Sequence, residues 1–170
     1  YSGASGGIVI ANPNAPTSIG EGEAFVRRIL TQNTDAVVMV DEAYADFSEY
    51  SAVGLTREFD NLVVTGTFSK SRSLAGLRIG FAVANPELIA ILEAVKNSYN
   101  SYCVNSVSML AGAASIADKD YFYETVAKVK ATREKTAAAL RALGFTVADS
   151  GTNFLFVTKD DSDMKAMFEY

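Results

Sequence analysis

Lys70 closes the run Asn61-Leu-Val-Val-Thr-Gly-Thr-Phe-Ser-Lys70, and Arg78 follows eight residues later in Leu74-Ala-Gly-Leu-Arg78-Ile-Gly80. Hydroxyls at Thr67 and Ser69 precede the amine. An amine at the mouth of a sheet, with hydroxyls beside it and a fixed cation after it, is equipped to hold an aldehyde carrying a phosphate tail. Two further loaded segments lie upstream, Asn12-Pro-Asn-Ala-Pro-Thr17 and Asp41-Glu-Ala-Tyr44. Each has a bland explanation when taken alone. A lysine after a strand is usually a solvated loop residue, Asp41 could be a helix N-cap, and Asn12 to Pro16 could be only a turn. Tyr44 could be a core aromatic and Arg78 a surface charge. Their convergence is the informative feature: all three segments follow short apolar runs, and open α/β sheets bind ligands at the carboxyl ends of their strands.

The elements that must position these residues are legible in outline. Ile8-Val-Ile10, Ala36-Val-Val-Met-Val40, Leu62-Val-Val64 and Arg78-Ile-Gly-Phe-Ala-Val-Ala84 read as four strands. Their continuous rather than alternating hydrophobicity predicts strands covered on both faces of a mainly parallel α/β sheet. Glu21 to Gln32 reads as a helix. Beyond Pro86 the pattern turns helical, over Glu87–Lys96, Cys103–Asp118 and Asp120–Leu143, with Gly144 as a C-cap. Two strands near Phe145–Val147 and Phe154–Val157 and a helix from about Ser162 complete the chain. The predicted organisation is an α/β domain over residues 1–119, then an interdomain helix and the start of a smaller α+β domain over 120–170.

Composition narrows the chemistry. The chain has 170 residues, 49% hydrophobic and 21% charged, the profile of a folded protein. Its net charge of −5 and lack of a basic stripe argue against a nucleic-acid partner. No apolar stretch approaches the roughly 20 residues that cross a bilayer, so no membrane partner is expected. Histidine is absent and Cys103 is the one cysteine. No imidazole base, Ser-His-Asp triad, cysteine zinc cage or intramolecular disulfide can be built, and no metal is expected. Proton transfer must run through Lys, Asp, Glu, Tyr or a cofactor. The expected compartment is the cytoplasm.

The motifs NPNAPTS at 12–18, DEAY at 41–44, TFSK at 67–70 and LAGLRIGF at 74–81 resemble those of the pyridoxal-phosphate aminotransferases of fold type I. The stretches SKSRSLAGLRIGFA, NSYNSYCVNSVSMLAGAA and TNFLFV are most similar to the histidinol-phosphate branch. The resemblance implies pyridoxal 5'-phosphate as cofactor, with Lys70 linked covalently to its aldehyde and later moving a proton. It implies Asp41 paired with the pyridine nitrogen, Tyr44 donating to the ring's phenolate oxygen, and Arg78 with Thr67 and Ser69 on the phosphate. An amine donor and a 2-oxo acid, a homodimer, and transamination of histidinol phosphate with 2-oxoglutarate in histidine biosynthesis follow from the same likeness. An aromatic-amino-acid aminotransferase or a threonine-phosphate decarboxylase shares this frame. A non-catalytic aminotransferase-like sensor domain of a transcription regulator is the alternative of another class.

The family's usual Asn-Pro-Thr-Gly is altered here, with Ala15 at the asparagine position and Ser18 at the glycine. Asn14 is assigned to the lost asparagine's role, with Asn12 a further candidate. Family members run to about twice this length. The expectation is therefore a chain truncated at both ends, its stacking aromatic and glycine-bearing phosphate loop upstream and its substrate-carboxylate arginine downstream.

Overall fold

A computed structural model describes residues 6–160 and 162–169. Four strands form one sheet: β1 (Ile8–Ala11), β2 (Val38–Asp41), β3 (Leu62–Thr67) and β4 (Gly80–Ala84), in that spatial order. The first three run parallel, in a register that aligns Ala11, Asp41 and Thr65. β4 returns antiparallel, with Gly80 opposite Thr67 and Ala84 opposite Val63. The architecture is α/β with a mainly parallel sheet, as the sequence predicts.

One face of that sheet holds the core. Ile8, Ile10, Val38, Val40, Leu62 and Val64 pack against Val26, Ile29 and Leu30 of helix α1 (Glu23–Gln32) and against Ala52 and Leu55 of the 3-10 helix Ala52–Arg57. Apolar side chains two residues apart on each strand point the same way, which is why the strands read as β-branched runs. On the opposite face the expectation of two-sided cover holds only in part. Val63 of β3 is buried, whereas Val9 of edge strand β1 stays 70% exposed, because among the described residues nothing packs over it.

Four helices follow β4 or lie beyond it: α2 (Pro86–Tyr99), α3 (Ser106–Ala117), α4 (Lys119–Ala142) and α5 (Met164–Glu169). Their starts follow capping chemistry. Asn85 accepts from the Leu88 amide at 2.8 Å with Pro86 in the first turn, and Asn105 accepts from the Ser108 amide at 2.9 Å. Gly144 takes φ +83° directly after α4, as a glycine terminator should. Apolar side chains on α2 and α3 remain open to solvent, including Ile91, Val95, Val107 and Leu110.

The last strands are shorter than predicted. β5 (Thr146–Val147) and β6 (Val157–Thr158) pair antiparallel as a two-residue ribbon. Phe154 to Phe156 lie outside it. The Ser150 and Thr152 hydroxyls both donate to the Phe154 carbonyl, at 2.6 and 3.0 Å, and that local turn takes the place of a ladder.

Among the described residues Glu42 is the one buried carboxylate. It is buried beside β2, and accepts from the Ser51 hydroxyl at 2.6 Å and from the Ala52 amide, so it starts the 3-10 helix at Ala52. Burial pushes its pKa up, opposed by those two hydrogen bonds. The folded state therefore binds the Glu42 proton more tightly than the unfolded state, and stability must fall as pH rises from the ordinary carboxylate range through the raised folded value. Glu42→Gln keeps an acceptor and is expected to flatten that slope in thermal melts between pH 4 and 8. Glu42→Ala, which strands the Ala52 amide, should cost roughly 1–3 kcal/mol by urea denaturation. A Gln variant with the parental pH slope would refute this account.

Candidate active site

The chemically loaded residues meet at one end of the sheet, and the strand directions explain why. Parallel β1, β2 and β3 all finish there, delivering Asn12, Asp41 and the turn Phe68–Lys70. β4 runs the other way, so its beginning, not its end, lies at this edge. Arg78, two residues before β4, is thereby carried back beside Thr67. Sequence reading placed Arg78 inside a strand. Instead it ends the 3-10 turn Ala75–Leu77, at φ 55° and ψ 44°. A left-handed backbone at a non-glycine residue is uncommon and occurs disproportionately at binding sites.

The lysine turn is built from its own hydroxyls. Thr67 Oγ1 accepts from the Ser69 amide at 3.1 Å and lies 2.9 Å from Ser69 Oγ and 3.2 Å from the Ile79 carbonyl. The Phe68 amide donates to Ile79 and the Leu74 amide to Phe68, so the Lys70 loop closes on itself. Ser71, buried, donates to the Asp46 carboxylate. Arg72 lies 4.1 Å over the Phe122 ring and 5.4 Å from Phe68, and donates to the Ser115 carbonyl at 2.6 Å. These contacts hold the segment on both flanks and leave Lys70 itself exposed.

Asp41 ends β2 on the face opposite the core, sharing that face with Thr65 and Thr67 by register and two-residue period. Its Oδ1 accepts from the Ala43 amide at 3.1 Å, which fixes the carboxylate at the strand end. Three residues on, the Tyr44 ring lies 5.2 Å from Lys70 Nζ, a cation–π contact. Phe154 meets the same ring edge-on, at 5.2 Å and 85°. The place of Phe154 at the site depends on the Ser150–Thr152 turn, which no period in the sequence reveals.

The two asparagine candidates separate. Asn12 is buried and committed to the backbone: its Nδ2 donates to the Glu21 carbonyl at 2.9 Å and its Oδ1 accepts from the Glu21 amide at 2.7 Å. Asn12 is thus a loop clamp rather than a ligand for the site. Asn14 is only partly buried, and its Nδ2 donates to Thr17 Oγ1 at 2.7 Å within its own loop.

The donor set fits a phosphorylated aldehyde. Among the described residues Arg78 makes one side-chain hydrogen bond, Nη1 to the Ala75 carbonyl at 2.9 Å, so most of its five-donor fork faces outward. Thr67 and Ser69 add hydroxyls on the same turn, and Lys70 has no carboxylate partner among the described residues.

Ser18 has a cost that can be measured. Its φ is +66°, in the left-handed region, and its fully buried hydroxyl has no hydrogen-bond partner among the described residues. Both penalties disappear with glycine, set against a larger entropy loss on folding. Ser18→Gly is expected to raise stability by about 0.5–1 kcal/mol in urea denaturation. A loss of stability would mean the hydroxyl has a role that the geometry does not display.

Residues 2–170 match the family model for aminotransferase class I and II. Histidinol-phosphate aminotransferase of Chromohalobacter salexigens is 50% identical over 164 residues, covering 96% of this chain and 47% of that protein. The chain spans about half the length of the curated relatives it matches. In fold, it superposes on histidinol-phosphate aminotransferase from Clostridium acetobutylicum with a TM-score of 0.87 at 21% identity, covering 96% of this chain and 50% of that one. The Sinorhizobium meliloti histidinol-phosphate aminotransferase, solved with pyridoxal-5'-phosphate, gives 0.80 at 24% identity over 91% of this chain and 42% of that one.

Proposed function

This chain belongs to the aminotransferase class I and II family, and on that footing we propose that the protein is a pyridoxal-phosphate-dependent transaminase moving the amino group of histidinol phosphate to 2-oxoglutarate. The observation that carries the reading is the meeting, at one sheet edge, of an exposed amine, a strand-end carboxylate, two hydroxyls and an outward guanidinium. Half-identity to a histidinol-phosphate aminotransferase supports the choice of substrate.

Pyridoxal phosphate supplies, when bound, an aldehyde for an amine and a ring that accepts the electrons of a deprotonated carbon. The chain's residues then have distinct tasks. Lys70 would hold the cofactor and would move a proton at the substrate's Cα. Asp41, its carboxylate fixed by the Ala43 amide, would stabilise a positive charge on the cofactor ring. Tyr44 would offer its phenolic hydrogen to the cofactor, and Asn14 is assigned beside it. Arg78, Thr67 and Ser69 anchor the phosphate, each charged hydrogen bond contributing roughly 1.5–3 kcal/mol.

In the same proposal, residues 1–119 are part of a larger cofactor-binding domain, and residues 120–170 are the connecting helix and the beginning of a smaller domain. The protein works in the cytoplasm as a homodimer. Among the described residues no helix is long and apolar enough to cross a membrane. The apolar side chains that α2 and α3 present to solvent are consistent with a covered face in the assembly.

The complete protein carrying this chain should show a visible absorbance band with pyridoxal phosphate, removed by borohydride and absent in Lys70→Ala. A wild type without the band would reject the reading. Arg78→Lys, which replaces a fork by a point charge, is expected to weaken cofactor binding about tenfold or more in titrations followed at that band. With 2-oxoglutarate as acceptor, histidinol phosphate should outrun phenylalanine as donor; the reverse order would move the protein to the aromatic branch. Sedimentation at one subunit's mass would refute the dimer.

A further inference from the structure

The guanidinium of Arg133 joins three segments that are far apart in sequence. Arg133 lies in the middle of α4 with a side chain only 9% exposed. Its Nη1 donates to the Phe47 carbonyl at 3.0 Å and to the Thr152 carbonyl at 2.8 Å, while Nε meets the exposed Glu134 carboxylate at 2.9 Å. Both main-chain acceptors sit one hydrogen-bonded turn from a ring at the site. Phe47 closes the 3-10 turn Ala45–Phe47, its amide bonded to the Tyr44 carbonyl at 3.0 Å. Thr152 Oγ1 accepts from the Phe154 amide at 3.2 Å and donates to the Phe154 carbonyl. Those two rings, Tyr44 and Phe154, are the pair packed edge-to-face beside the Lys70 amine.

A tie between segments needs no charge. Burying a cation costs desolvation that apolar packing would avoid, and it repays that cost only through well-aimed bonds. Here those bonds go to two carbonyls, groups that cannot move without moving the turns that carry the rings. Ion pairing of Lys130 with Glu49 also ties α4 to the end of the Phe47 turn, and the Gly151 amide bond to the Ser18 carbonyl, 2.8 Å, ties the Thr152 turn to the loop after β1. Neither ends at Tyr44 or Phe154.

We propose that Arg133 is a positioning residue of this site: by clamping the Phe47 and Thr152 carbonyls it sets where the Tyr44 and Phe154 rings stand at Lys70. This rests on the reading that Lys70 holds pyridoxal phosphate. Arg133 touches neither the lysine nor the cofactor and acts through Tyr44. Among the described residues it is also the one whose side chain bonds both turns directly, so its loss should free them together while the sheet stays folded.

The test uses the complete protein, with Arg133→Gln, Arg133→Lys, Tyr44→Phe and the Arg133→Gln/Tyr44→Phe pair. Without cofactor, hydrogen exchange should speed up in peptides covering 44–48 and 150–154 in Arg133→Gln, and stay slow in β1, β2 and β3. With pyridoxal phosphate, Arg133→Gln should weaken binding about tenfold. It should also move the pH midpoint of the visible band in the same direction as Tyr44→Phe, and the pair should move it no further than Tyr44→Phe alone. Arg133→Lys, which keeps the charge with a shorter head, should fall between wild type and Gln. Unchanged exchange at 44–48, an unmoved midpoint in a folded Arg133→Lys or Gln variant, or shifts that add in the pair would each overturn the proposal. A wild type with a normal band and any of those outcomes sinks only Arg133's role; a wild type with no band sinks the cofactor reading as well.

Discussion

The antiparallel pairing of β4 with β3 is the constraint on which the site depends. Parallel strands alone would bring Asn12, Asp41 and Lys70 to one edge, but a fourth group from a later strand would reach it only through a long crossover. Reversing direction over residues 68–79 places residue 80 opposite residue 67, and the Arg78 backbone two residues earlier arrives at the edge that carries the lysine turn. The tight approach also explains Gly66. A Cβ there would stand 2.3 Å from the Phe81 ring, which lies across the strand and packs edge-on against Phe68. Anchor, lysine and ring packing thus share one ladder.

Around that ladder, polar side chains are tied mainly to main-chain atoms. Asn12 clamps Glu21, Thr67 its own turn, Arg72 Ser115 and Arg133 Phe47 and Thr152. Bonds of this kind fix loops more firmly than exposed ion pairs, which contribute little at a solvated surface. The surface pairs Arg27 with Glu23 and Glu58 and Lys128 with Glu124 belong to that weaker class. A site that must hold an amine, a carboxylate and a phosphate anchor in register needs the firmer kind.

Two positions carry a cost within that frame. Ser18 occupies a left-handed backbone with a buried hydroxyl that bonds nothing among the described residues, and Arg78 occupies the left-handed region with a long side chain. The first is a position whose backbone glycine would adopt without strain. The second is of a different kind, because the unusual backbone lies at the very residue assigned to the anion.

Residue type and order alone were enough for much of this. Lys70, Asp41, Tyr44, Thr67, Ser69 and Arg78 are conspicuous because their types demand chemistry, and the apolar runs before them are strands because β-branched residues cluster there. The predicted helices and the Gly144 terminator follow from period and capping, which are local. Direction and partnership are not local. Nothing in Arg78-Ile-Gly-Phe announces that this strand runs backwards, that it begins at Gly80, or that Val9 remains uncovered. Asn12 and Asn14 look alike in a string, and only the neighbouring Glu21 backbone decides that one is a clamp. The Ser150–Thr152 turn that brings Phe154 to Tyr44, and the guanidinium that binds it, join residues 19 and 86 positions apart from Arg133. Such contacts arise from how separate elements close on one another, and a linear pattern holds no record of that distance.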